Sequence, residues 1–361
     1  MHTYVKDTKK GFDEQTIYIG IDCHKKSWNV TLLCDHFELK TMSRESDAEG
    51  LVRYLKKHYP GAQYKAVYEA GFNGFTPCRA LQALGVDTQV VHAADVPTTH
   101  KDRQRKCDTI DSRKLARLLR SHEFKGIHVP GPSLELDRSL LRMSYSLTKD
   151  LTRVKNRVKS LLFQYGVCIP LALERGSKSW TKAYLAWLEG ELEKHPELRF
   201  LVQVHLDYGR FLKDQKKVTN TRLKALSVSE YYRENVLLLR SVPGFGLVTI
   251  LTLLTQLGDI RRFASFDHLC GYFGMMPRTH ASGEHQGTGR MSSRGRKNVK
   301  KMLIEAAWSA VRSDPALTLR FAELSKRMNK NKAIVRIAKN LLSRMRYILL
   351  YREPYQCGVV R

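Results

Sequence analysis

The chain has 361 residues, and its 62 Lys and Arg outnumber 35 Asp and Glu to give a formal net charge of +27. A hydrophobic share of 42% can bury a sizeable core, so wholesale disorder is excluded and the length suits about two or three domains. Seven isolated cysteines with no Cys-x-x-Cys pair argue against a zinc site and for a reducing compartment, and no apolar run reaches the roughly 18 to 20 residues of a membrane span. With no secretory hydrophobic stretch after Met1, a soluble protein in a bacterial or archaeal cytoplasm is expected.

Two β-rich runs, Ile17 to Asp22 and Trp28 to Leu33, flank a polar stretch and predict a strand, a turn and an antiparallel return strand. After a polar segment, Leu51, Val52 and Leu55 set a helix from Glu49 to Tyr59, ended by Pro60-Gly61. A strand at Tyr64–Tyr68, a helix at Pro77–Leu84 closed by Gly85, and a strand at Asp87–His92 follow. The basic stretch Lys101–Lys106 then opens a helix from about Asp108 to Ser121. Alternating strands and helices predict a mixed α/β sheet.

From Leu134 to Tyr165, the apolar positions Leu136, Leu140, Met143, Leu147, Leu151, Val154, Val158 and Leu161 form a heptad stripe. Its partner is either a second helix of the same chain or another protomer. The segment Ser177–Ser227 is polar and mostly helical. In Leu239–Leu251, Val-Pro-Gly-Phe-Gly precedes an apolar helix, which reads either as a helix-hairpin-helix element facing a phosphate or as an ordinary Gly turn between core helices. A helix at Phe266–Phe273, an irregular loop at Met275–Met291, a basic helix from about Arg294 to Arg312 and a helix from Leu317 to Tyr351 complete the chain.

The charge is uneven. Residues 1–130 carry 21 basic and 16 acidic side chains, 131–240 carry 20 and 12, and 241–361 carry 21 and 7, so the net rises from +5 through +8 to +14. Such a field suits a polyanion, above all nucleic acid, whose phosphates bind Lys and Arg with release of counterions. Arg290, Arg294, Arg296, Lys297, Lys300 and Lys301 recur near helical spacing and are the candidate nucleic-acid-binding residues.

Four carboxylates stand out in this basic chain. Asp22 and Glu69 end strands, where a charge is costly unless it is solvated, paired or bound to a cation. Asp108 and Asp111 are three apart, which puts both on one helix face, where they repel unless something positive lies between them. Oxygen ligands converging from separate elements suit Mg²⁺, with Mn²⁺ as a substitute. Taken singly, each residue also reads as a strand-end or helix-cap carboxylate; jointly, their order is that of an RNase H-like metal site.

At Tyr18-Ile-Gly-Ile-Asp22, Tyr68-Glu-Ala-Gly71, Asp108-Thr-Ile-Asp111-Ser-Arg-Lys-Leu-Ala116, Val242-Pro-Gly-Phe-Gly246, Ala281-Ser-Gly283 and Gly289-Arg-Met-Ser-Ser-Arg-Gly295, the chain resembles the IS110-type insertion-sequence transposases. These are also called DEDD transposases or bridge-RNA-guided recombinases. The resemblance runs from about residue 17 to about residue 350, and the order of the motifs is more specific than any one of them. It departs locally: some ten residues precede the usual start, Met291-Ser-Ser-Arg-Gly replaces Ile-Ser-Lys-Arg-Gly, and the middle segment matches in character only.

The resemblance implies a RuvC-like domain of RNase H fold at 1–130, a helical coiled-coil segment at 131–235 and a mainly α C-terminal transposase domain at 236–361. It places the family's metal-binding carboxylates on Asp22, Glu69, Asp108 and Asp111, and its covalent nucleophile on Ser282. Ser282 lies in Arg278-Thr-His-Ala-Ser-Gly-Glu-His285, whose His280 and His285 read either as proton carriers or as solvent-facing loop histidines. The implied activity is DNA cutting and rejoining through phosphoserine, in a homo-oligomer (dimer or tetramer) guided by a structured bridge RNA. The competing readings are a RuvC-like junction nuclease that uses water and a non-catalytic nucleic-acid-binding protein.

Overall fold

The computed structural model describes residues 12–35, 37–97, 108–174, 180–282, 285–291 and 295–358. The chain divides into two compact units, Met1–Pro130 and Gly131–Arg361.

The first unit is a five-stranded sheet with helices on both faces. Its elements are β1 (Thr16–Cys23), β2 (Ser27–Leu33), β3 (Glu38–Glu45), α1 (Ala48–His58), β4 (Gln63–Glu69), α2 (Thr76–Ala83), β5 (Asp87–Val91) and α3 (Asp108–Ser121). The strand order is β3-β2-β1-β4-β5. β2 lies antiparallel to β1, whereas β4 is parallel to both β1 and β5. This mixed sheet, followed by a mainly helical remainder, fits the RNase H-like expectation. β3 lies where only a polar segment was expected: Glu-Leu-Lys-Thr-Met-Ser-Arg-Glu alternates exposed and half-buried positions at the sheet edge, so it lacks the apolar density that marks a strand.

Alternation along the strands gives each face its own core. Ile17, Ile19, Ile21, Val30, Leu32, Ala66 and Tyr68 face one way and pack with Leu51 and Leu55 of α1 and Leu81 of α2. Tyr18, Leu33, Val67 and Val91 face the other way and pack with Leu115, Ala116, Leu118 and Leu119 of α3. On that second face β1 carries Gly20. A Cβ there would collide with the Ser112 carbonyl and the Ala116 amide, so the glycine is what lets α3 lie directly on the strand.

The second unit begins with α4 (Pro132–Gln164), a 33-residue helix, and continues with α5 (Leu171–Glu174), α6 (Lys182–Glu193) and α7 (Pro196–Ser227). α8 (Arg233–Arg240), α9 (Leu247–Leu257), α10 (Phe266–Phe273), β6 (Pro277–Ser282) and β7 (His285–Met291) follow. α11 (Lys297–Ser313), α12 (Pro315–Arg327) and α13 (Lys330–Tyr351) complete it. α4 packs along α7 of the same chain. Val154, Val158 and Leu162 of α4 are buried there with Tyr184, Leu188 and Val202.

The heptad stripe therefore packs along α4 from Leu147 onward, while before it Leu140 packs against another buried cluster and Leu136 and Met143 are exposed. In the N-terminal half Leu136 is 72% exposed, and Leu141 and the buried Arg138 face inward instead. The cause is Arg138, whose Nε and Nη2 donate to the carbonyls of Thr255 (2.7 Å) and Gln256 (3.2 Å) at the end of α9. These bonds fix a different side of the helix toward the second core, formed with Ile250, Leu254, Phe273, Leu303, Ile337 and Leu341.

Two further expectations change. Met275–Met291 is not an irregular loop: Pro277–Ser282 and His285–Met291 pair as an antiparallel hairpin. The last helix is two, because α12 ends at Arg327 and Asn329 starts α13 by accepting from the Asn331 amide (2.8 Å). In the turn before α9, Gly244 has φ +80° and touches the Ala306 carbonyl of α11 so closely that a Cβ would collide. That glycine serves helix packing. Among the described residues no helix is long and apolar enough to cross a membrane.

Gly20→Val should destabilise the protein by about 3 kcal/mol, the upper end for overpacking against backbone, seen as a lower urea midpoint. Gly190→Ala, in α6 with open space around it, should stabilise by about 0.5 to 1 kcal/mol. Equal midpoints for the two variants would contradict this packing.

Candidate functional site

Asp22 and Glu69 end neighbouring parallel strands. Ile21 pairs with Tyr68 in the β1–β4 register, so the two carboxylate-bearing positions come next, side by side at the carboxyl ends of the strands. Open sheets place ligands at such ends. By strand alternation Asp22 shares a face with Tyr18 and Gly20, and Glu69 shares it with Val67, the face that α3 covers.

The direction of α3 follows from its contacts. Tyr18 meets His122 just past the end of α3 (ring centroids 6.3 Å apart), and Gly20 meets Ala116 and Ser112 about two and three turns earlier. Continuing along β1 to Asp22 therefore leads toward the first turn of α3, which holds Asp108 and Asp111. The Ser112 hydroxyl is hydrogen-bonded to Thr31 of β2 (2.8 Å), and Thr31 to Thr41 of β3 (2.9 Å), which pins the helix across the sheet. An Arg113–Glu38 pair (2.9 Å) reinforces it from the rim.

Asp22 is half-buried, lies opposite the buried Asn29, and has the Nε2 atom of His24 at 3.1 Å from its carboxylate. Glu69 is exposed. Asp111 is half-buried and pairs with Lys114 (3.4 Å). The side chain of Asp108 lies outside the described residues. Among the described residues no three His, Cys, Asp or Glu side chains are grouped to hold a metal ion. The donors at this end of the face are carboxylate oxygens, the chemistry a hard divalent cation takes.

Sequence reasoning missed the imidazole of His24 and the Ser112–Thr31 pin. A glycine inside an apolar strand was the available signal of close backbone approach. Beside Asp22, burial and then the carboxylate's own charge push the Cys23 thiol up to about 12, against a hydrogen bond from Asn73 that lowers it. Cys23 is therefore protonated at neutral pH and is no competing nucleophile.

Ser282 is the last residue of β6 and pairs in register with His285, while His280 pairs with Gly287. The side chains of Ser282, His280, His285, Arg290 and Arg294 lie outside the described residues. Arg296 is half-buried, with its guanidinium 5.4 Å over the Tyr272 ring. Lys297 is exposed, Lys300 is half-buried, and Lys301 pairs with Glu305 (3.6 Å). These three lysines occupy the first turns of α11, which has no acidic residue in its first turn. Cations at a helix N-terminus add to the positive end of the helix dipole and favour an anion there.

Comparison with known proteins matches residues 19–167 to a transposase family described as DEDD_Tnp_IS110, and residues 236–322 to the Transposase IS116/IS110/IS902 family. A Sinorhizobium fredii protein named as a transposase is 30% identical over 244 residues, which cover 67% of this chain and 57% of that protein. A second from the same organism is 27% identical over 364 residues, 91% of each chain. The transposase for insertion sequence element IS1533 of Leptospira borgpetersenii is 28% identical over 256 residues, 69% of this chain and 71% of its own.

Brief iodoacetamide treatment of the folded protein at pH 8 should label the exposed Cys168 and Cys357 and leave Cys23 unmodified. Mass spectrometry reads the outcome, and labelling of Cys23 as fast as Cys168 would contradict the protonated thiol.

Proposed function

Because the chain belongs to the IS110 family of insertion-sequence transposases, we propose that it cuts and rejoins DNA at the ends of a mobile element through a serine-linked intermediate. The observation that carries this reading is the gathering of Asp22, Glu69 and the first turn of α3 at one end of one sheet face. Asp22, Glu69, Asp108 and Asp111 would hold Mg²⁺, or Mn²⁺ in its place. When bound, the ion supplies Lewis-acid polarisation of a phosphodiester.

The Ser282 hydroxyl attacks the scissile phosphorus, forming a Ser–O–P bond while the P–O bond to the departing strand breaks. The serine proton passes to a base and the departing oxygen takes up a proton. The reverse attack by another strand's hydroxyl releases serine, so the phosphodiester energy is conserved and no nucleotide hydrolysis is needed. The reaction requires Ser282 of the second unit to reach DNA held at the carboxylates of the first, within a chain or between protomers of a dimer or tetramer. Arg290, Arg294, Arg296, Lys297, Lys300 and Lys301 grip the backbone beside the nucleophile, which suits the basic start of α11. Sequence choice then falls to a structured bridge RNA, whose pairing with donor and target DNA spares the protein from reading bases.

Incubation with Mg²⁺, cognate end DNA and the flanking RNA should yield a protein–DNA adduct that survives a denaturing gel. Ser282→Ala should abolish the adduct, and an adduct that persists would falsify the serine assignment. Cleavage without any adduct would favour the water-using nuclease instead. Asp22→Asn and Asp111→Asn should lower strand cleavage at least about a hundredfold, as should EDTA, while DNA binding is largely kept. Undiminished cleavage in either variant would remove that residue from the site.

A further inference from the structure

The helical hairpin of the second unit holds a cluster of charge that the proposed chemistry leaves unused. Lys155 and Lys159 of α4 crowd Lys213 and Lys216 of α7. Burial first, and then the charges of Lys213, Lys216 and Lys159, pull the Lys155 ammonium below its ordinary pKa. Among the described residues none of the four forms an ion pair. Their neighbours do: Lys194, Arg210 and Lys217 each pair with the carboxylate three residues earlier. Like charges gathered on two packed helices oppose folding unless a counter-charge arrives from outside.

A second observation lies in the same place. Trp180 stands in the left-handed region at φ +69°, a strained conformation for a non-glycine residue. It is 7% exposed, its ring packs against Gly209, and Lys155 lies 5.8 Å over that ring. Among the described residues its buried Nε1–H has no acceptor. Trp180 lines a cavity of about 110 Å³ with apolar walls from Leu185, Leu192 and Leu206, and Arg199, Lys213 and Glu189 add charge to its lining. A buried donor with no acceptor among the described residues, on a residue that lines a cavity with both apolar and cationic walls, calls for a flat acceptor that carries negative charge nearby.

We propose that this face of α4, α6 and α7 binds an unpaired stretch of nucleic acid, with phosphates on Lys155, Lys159, Lys213, Lys216 and Arg199 and one base edge accepting from Trp180 Nε1. A base held in a duplex shows only its groove edges and cannot leave the stack to enter such a cavity, whereas a splayed nucleotide can. The surface rests on the nucleic-acid reading above and adds a second contact, built on other elements than the start of α11.

Fluorescence anisotropy of the full chain with labelled 12-nucleotide oligouridylate and oligothymidylate tests it. Lys213→Glu/Lys216→Glu should weaken binding at least tenfold at 150 mM salt and flatten the salt slope by about 1.4, since each contact with a single strand contributes about 0.7. Loss in the RNA arm alone assigns the surface to RNA; equal loss in both assigns it to single strands of either kind. An abasic strand should bind wild type about fivefold more weakly, and Trp180→Phe should erase that difference by removing the N–H donor. If circular dichroism shows the double variant misfolded, Lys213→Gln/Lys216→Gln replaces it, with half the slope change or more. Wild-type affinity and slope in the folded variant would overturn the inference, as would failure of wild type to bind either strand. Loss of strand binding with adduct formation on cognate DNA intact supports it. Strand binding without any adduct would instead overturn the transposition chemistry and leave this surface standing.

Discussion

The contact between Gly20 and the backbone of α3 governs the candidate site. A helix packed on a sheet normally rides on side chains; here one missing side chain lets Ser112 and Ala116 reach the strand itself. That close seat brings the Ser112 hydroxyl within reach of Thr31 and closes a buried chain of hydroxyls to Thr41. Leu115 and Leu119 then seal the face against Tyr18, Val67 and Val91. Lift α3 by the thickness of one methyl group and its first turn, with Asp111, moves relative to Asp22 and Glu69. Catalytic groups tolerate little displacement of that kind.

The two units handle charge differently. In the first, nearly balanced in net charge, carboxylates gather on one end of the sheet and basic side chains hold the rim, as Arg113 does with Glu38. In the second, cations dominate the helix surfaces, and several are tied into short pairs three residues apart that contribute little individually. Those pairs are ordinary helix-surface chemistry. The cations that lack them, and those massed at the start of α11, are where a polyanion would gain most.

Much of this was readable in the sequence. The strand pair around Cys23–Ser27, the helix ended by Pro60-Gly61, and the helix opened by Asp108 all carry dense local signals, and all occur where those signals fall. β3 was not readable, because an edge strand needs only one neighbour and can be built from Lys, Thr, Ser and Arg. The β6–β7 hairpin was hidden by its small and polar residues, which mark a turn more clearly than a strand. The heptad stripe misled at Leu136 because a periodic pattern cannot reveal that a single arginine, Arg138, will turn the helix toward two distant carbonyls. Of the site, the carboxylates announced themselves as charges in apolar company. The distances among them depend on how β1, β4 and α3 meet, and no single segment encodes that.

The carbonyls at the end of α9 take on a further meaning in this light. Gln256 accepts from Arg138, Arg262 and the Tyr272 hydroxyl, and Arg138 and Arg262 also hold Thr255 and Leu257. Two guanidiniums are thus turned inward against the negative end of a helix dipole. They are counted in the formal charge yet project little field into solvent, so the electrostatic reach of this protein is set by fewer cations than its composition suggests. A mutational or evolutionary exchange of either for lysine would keep the count and lose the forked donor that clasps adjacent carbonyls. Charge conservation at these two positions is therefore a poor guide to tolerance, and hydrogen-bond geometry is the better one.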